Sequence, residues 1–241
     1  MNVKNKNSKE NSIMDTVDLT YYYALPQNQF SCPKFLVSEI TKEIEYAACT
    51  DFYDTVFEYS YYKLCEKFGL KHRPVMWGSD LNESDKYVTI TNYSIDDEYC
   101  HYGDLEEFEK ISNQLEVETH LLFIDLFGGN VYSNEICGII ENGEFIKMFS
   151  STAFFEFELS MFLQGDSRKN YFNRNNEYLL QEVDKQILFD LKPWIDQLAN
   201  ISRKELNILF DFPETPKYDK AKKWIIDKII SVQKDIKKVI T

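Results

Sequence analysis

Asp85 and Asp125 are the two carboxylates of this 241-residue chain whose surroundings point beyond simple solvation. Asp125 interrupts the apolar run LLFIDLF, where a carboxylate must be paired, hydrogen-bonded at an edge or functional. Asp85 follows Gly78-Ser79 in WGSDLNESDKYVTI, at the start of an alternating run. Carboxylates so placed hold divalent cations against a phosphate, which would make the chain a metal-dependent nucleotidyltransferase or hydrolase. Other chemistry has weaker footing. His72, His101 and His120 are far apart, and the ligand-dense patch is Cys100-His101 beside Asp96, Asp97 and Glu98. Adjacent strand residues face opposite ways, so Cys100 and His101 do not readily share an ion. No metal and no cofactor is therefore expected. No GxSxG-type signature marks a nucleophile.

Three family patterns come close. WGSDLNESDKYVTI resembles the Gly-Ser and Asp-x-Asp of nucleotidyltransferases, with Asp85 as first carboxylate, but Tyr87 stands where the second belongs. LFIDLFGGN resembles the first motif of S-adenosylmethionine-dependent methyltransferases; its glycines are adjacent rather than spaced, and a hairpin follows instead of a helix. A nuclease of the Asp, Glu-x-Lys type would need an acid two residues before Lys147, and position 145 is Phe.

The elements that must position these residues read as an α+β fold with a central antiparallel sheet, packed by a long N-terminal helix and a helical C-terminal third. Asn142-Gly143 is a strong type I′ hairpin signal, and the meander around 121–149 is read as three strands, Leu121 to Phe127, Glu135 to Glu141 and Glu144 to Phe149. Ser38 to Gly69 reads as the long helix, because Ile40, Ile44, Ala48, Phe52, Val56 and Tyr59 recur at helical spacing. Val75 to Trp77 and Lys86 to Ile95 read as strands, and Asp104 caps a helix from Leu105 to about Val117. Helices follow over Thr152 to Gln164, Glu177 to about Leu198 with a break at Pro193, a short one capped by Ser202, and Lys217 to Ile240. Residues 1–13 read as a disordered polar tail and 14–241 as one domain, sheet-rich over about 75–150 and helical over about 152–241.

Charge supplies the remaining clue. The chain carries a net charge of −13, with 44% hydrophobic and 15% aromatic residues. Lys217 to Thr241 holds eight lysines against three aspartates, whereas Asp80 to Glu118 holds twelve carboxylates against Lys86 and Lys110. Such a face repels nucleic acid and attracts basic protein. The reading that follows is an intracellular binder neutralising a basic partner, in the manner of immunity proteins and antitoxins. Tyr93, Asp96, Asp97, Glu98, Tyr99, Tyr102, Asp104, Glu106 and Glu107 would form its face. A structural subunit self-associating through the C-terminal helix is a further alternative, since Ile225, Ile229, Val232, Ile236 and Val239 form an apolar stripe. Five scattered cysteines without CxxC spacing, no apolar run of membrane-spanning length and no leader-like N-terminus place the chain in the cytoplasm, away from membranes.

Overall fold

The computed structural model describes residues 16–25, 33–79, 87–94, 96–97, 99–101, 111–128, 136–150, 153–165, 180–181 and 183–240. Their fold is α+β, built on two sheets. The first has the order β1-β5-β6-β4-β3-β2, from β1 (Thr16–Asp18), β2 (Tyr22–Ala24), β3 (Lys34–Ser38), β4 (Ile44–Cys49), β5 (Met76–Ser79) and β6 (Tyr87–Asn92). The pair β1–β5 is parallel and the other pairs antiparallel, so this sheet is mixed. The second sheet is the antiparallel set β7 (Tyr99–His101), β8 (Ile136–Glu141) and β9 (Glu144–Ser150).

Helix α1 (Phe52–Phe68) leaves the first sheet directly after β4, and α2 (Gln114–Leu126) precedes the second. After β9 come α3 (Ala153–Leu163), α4 (Lys185–Asp190), α5 (Lys192–Asn200), α6 (Arg203–Leu209) and α7 (Pro216–Ile240). One large apolar cluster joins them. Phe57, Phe123, Phe155, Leu198, Trp224 and Ile229 are among its buried members. The stripe of α7 is spent inside this cluster, with Ile225, Ile229, Val232 and Ile236 at most 3% exposed.

Several expectations hold and three need correction. The hairpin turns at Asn142-Gly143, with φ of 54° and 77°, the left-handed values a type I′ turn requires. Ser202 caps α6 with a full capping box through Glu205. The reading of Leu121 to Phe127 as a strand is wrong: Leu121 to Leu126 finish α2, Phe127 caps it, and the third strand of the meander is β7. A short apolar run does not distinguish a buried strand from a buried helix. Ser38 to Gly69 is likewise not one helix. Its first part is a turn and β4, and the helix begins only where the Asp51 carboxylate accepts the Tyr53 N–H; Gly69 closes it in the left-handed region, as expected. The apolar spacing of Ile40, Ile44 and Ala48 is coincidental, for Ile40 is 78% exposed. The expected break at Pro193 lies at the junction of α4 and α5, where Pro occupies the first turn of the second helix. Of the helix expected over Leu105 to about Val117, residues 105–110 lie outside the described residues, 111–113 are not helical, and Gln114 to Val117 open α2 instead.

Gly138 on β8 sits where the strand register shifts, under its neighbour's backbone. A Cβ there would collide with the Ile146 carbonyl oxygen and lie 2.7 Å from Phe145 Cζ. Gly138→Ala is therefore expected to lose about 1–3 kcal/mol. A urea midpoint equal to that of the parent chain would contradict this packing.

Candidate functional site

The two sheets meet along a seam. From the first come Ala47 and Cys49 of β4; from the second come Cys137 and Ile139 of β8 and Met148 and Phe149 of β9. All six are at most 4% exposed. Phe35 and Tyr93 close one side with ring centroids 4.7 Å apart. In β6, Thr89 pairs with Cys49 and Thr91 with Ala47, so both threonines present their side chains on the same face as the seam residues. Their hydroxyls are buried and without a hydrogen-bond partner.

Between α1 and β9 lies a network of buried polar groups. Glu58, on an otherwise largely aromatic stretch of α1, is fully buried. One carboxylate oxygen accepts the Ser150 N–H at 2.7 Å and the Ser150 hydroxyl at 2.9 Å; the other accepts from Lys147 Nζ at 2.9 Å. Lys147 Nζ also lies 3.3 Å from His72 Nε2 and 4.9 Å from the centre of the Tyr61 ring. His72 donates through Nδ1 to the Arg73 carbonyl at 2.7 Å, which leaves Nε2 as an acceptor for the lysine. His120 donates through Nε2 to the Lys71 carbonyl at 3.1 Å and accepts the Tyr61 hydroxyl at Nδ1, 2.9 Å away. Both imidazoles are thus neutral, each with its tautomer set by a backbone carbonyl.

Electrostatics follow from burial. Burial opposes the charge on Glu58, yet the Lys147 ammonium beside it is the largest opposing influence, and this carboxyl lies below its usual range. Burial, aided by Lys147, lowers His72. Burial, with the Lys147 charge behind it, pushes His120 well below the ordinary imidazole value. The thiol of Cys65, 3.9 Å from His120 Nδ1, is pushed up by burial and stays protonated, so it is no nucleophile.

The residues singled out from sequence fall only partly among the described ones. Asp97 ties the chain locally: it accepts from Arg73 at 3.1 Å and from the Ser94 N–H at 2.9 Å. Tyr93 is half-buried at the seam and Asp96 is exposed. Tyr99 lies on β7; Glu98, Tyr102, Asp104, Glu106 and Glu107 lie outside the described residues, as does Asp85. Asp125 sits half-buried on α2, not on a strand. Among the described residues no group of three His, Cys, Asp or Glu side chains is placed to hold a metal ion. None of their helices is long and apolar enough to cross a membrane. Sequence reasoning missed Glu58, and it considered Lys147 only in the nuclease pattern. The available signal was a lone charge inside each of two apolar stretches, VFEYSYY and FIKMF.

No family model and no curated protein matches this chain. Solved structures do. The proinflammatory kinase CtkA of Helicobacter pylori superposes with a TM-score of 0.53 at 14% identity, covering 93% of this chain and 96% of that one. HipA, from the HipA–HipB–operator DNA complex of Shewanella oneidensis MR-1, gives a TM-score of 0.44 at 8% identity, over 90% of this chain and 67% of its own. The likeness to CtkA extends over nearly the whole of both chains, and it overturns the expected immunity- or antitoxin-type binder. A surplus of carboxylates is compatible with many folds, and here Asp97 serves a local ion pair. The architecture is one shared with a kinase.

Proposed function

We propose that this is a kinase-fold protein of the cytoplasm that does not itself transfer phosphate, because the space a nucleotide would need between its two sheets is occupied by its own side chains. The observation that carries this reading is the seam, where Ala47, Cys49, Cys137, Ile139, Met148 and Phe149 exclude solvent from one another. Phosphoryl transfer depends on a lysine and metal-holding carboxylates set around the phosphates. The strings that carry those groups in protein kinases, G-x-G-x-x-G, H-R-D-x-x-x-x-N and D-F-G, do not occur in the sequence. The lysine–glutamate pair that is present, Lys147 with Glu58, is fully buried, and Ser150 takes up the other carboxylate oxygen. The pair therefore supports the junction of α1 and β9. The cytoplasmic assignment rests on five cysteines scattered through the sequence without CxxC spacing.

A second reading, an active phosphotransferase, has its own observation in the unpartnered hydroxyls of Thr89 and Thr91. A base edge entering the seam would satisfy them if Met148 and Phe149 moved aside. One experiment separates the two. The purified chain is incubated with γ-labelled ATP and Mg²⁺ or Mn²⁺, alone and with a generic protein substrate, and its Tm is followed with and without nucleotide. The expected result is no labelled protein and no nucleotide-dependent rise in Tm. Transfer of label, with a metal-dependent rise in Tm, replaces this reading by the second.

A further inference from the structure

Away from the seam, the start of α1, the start of α7 and the first residue of β6 line a half-open cavity of about 700 Å³. Its lining comprises Phe52, Tyr87 and Tyr218, the polar groups Thr50, Thr215, Glu214 and Lys217, and Pro216. Pockets that take small organic ligands are of this size, mostly apolar, with a few converging polar groups. The rings are held in place. Tyr218 is 3% exposed, its hydroxyl donates to the Tyr87 carbonyl at 3.3 Å, and its ring lies 5.0 Å from that of Phe52. Lys217 Nζ rests 3.7 Å from the centre of the Phe52 ring.

We propose that this cavity binds a small aromatic acid, a planar ring system carrying one carboxylate. The rings of Phe52, Tyr87 and Tyr218 supply the faces and edges against which a planar ligand packs. Lys217 supplies the cation at the mouth, on a side chain exposed enough to swing from the ring to a carboxylate. Its reach also sets the charge. Among the described lining residues a single lysine stands with Glu214, a balance that suits a monoanion better than a polyphosphate. Thr50 and Thr215 add hydroxyls that either donate or accept. The site is independent of the seam and of whether the protein transfers phosphate.

The test uses indole-3-acetate and salicylate as probes, titrated into the full chain by calorimetry and ligand-observed NMR. Indole-3-ethanol serves as the neutral control. Lys217→Met removes the charge at an exposed position; Lys234→Met removes a charge from the far, exposed part of α7. The expected result is saturable binding of at least one acid, weakened roughly tenfold or more by Lys217→Met and for the neutral analogue, since a charge-assisted contact is lost in each. Lys234→Met should bind like the parent chain. Absence of saturable binding up to about 5 mM overturns the proposal. So does equal affinity in Lys217→Met, or equal weakening by Lys234→Met, which would mark general charge attraction.

Discussion

Lys147→Met is expected to destabilise the protein by about 3–5 kcal/mol, the scale on which removing one partner of a buried ion pair acts. The reason lies in what remains. Glu58 would keep the Ser150 N–H and hydroxyl as donors but lose the Lys147 ammonium, and its side chain is fully buried. A whole domain is stable by only about 5–15 kcal/mol, so the variant should sit near the edge of unfolding at ordinary temperature. Glu58→Gln in the same chain should restore much of the loss, because the amide oxygen still accepts from Ser150 and no charge is left without its partner. Urea unfolding of the two single variants and the double variant gives the coupling directly, expected at roughly 2 kcal/mol or more. Strictly additive losses would show that the two side chains do not act as a pair.

The second large effect is acid lability. His72 and His120 both have folded-state values lowered by burial, whereas in the unfolded chain each titrates near about 6.5. Below that value the unfolded chain binds protons that the folded chain refuses. Stability is therefore complete above about pH 6.5 and declines as pH falls beneath it, by up to about 1.4 kcal/mol per pH unit for each histidine. Glu58 adds a loss of the same sign at lower pH, since its folded value is also lowered. Unfolding midpoints at about pH 7.5, 6.5 and 5.5 should fall steadily across the series. His120→Gln should make the fall shallower, because one of the two proton-refusing groups is gone. A flat profile over that range would mean that these imidazoles take up protons in the folded protein as readily as in the unfolded chain.

How much of this was legible depends on the range of each signal. The Asn142-Gly143 turn, the Ser202 cap and the stripe of α7 are local patterns of a few residues, and each is where it was read. Leu121 to Phe127 was misread because six apolar residues around one aspartate carry no period of their own. Ser38 to Gly69 failed because β4 supplies alanines and an isoleucine that coincide with helical spacing, while Asp51 carried the true start. At the site, a carboxylate in α1 and a lysine in β9 are visible singly, but 89 residues separate them and no spacing rule joins them. The acid-rich segment misled for a related reason. Glu116 receives the Lys71 N–H and the Asn113 amide, and Asp97 receives Arg73, so part of that charge belongs to internal ties.

Helix α7 has a consequence for how the chain is made. It lies C-terminal to every surface it covers, packing on α1, α3, α5 and α6 and reaching the first sheet through Tyr218. During synthesis those elements emerge from the ribosome with the apolar ground beneath Trp224, Ile225, Ile229 and Val232 uncovered. Translation runs at about 5–20 residues per second, so this surface waits for the 25 residues of α7 for a second or more. Nascent chains stalled before Pro216 should consequently hold chaperones, while emergence of α7 lets the helices beneath it pack in a late step.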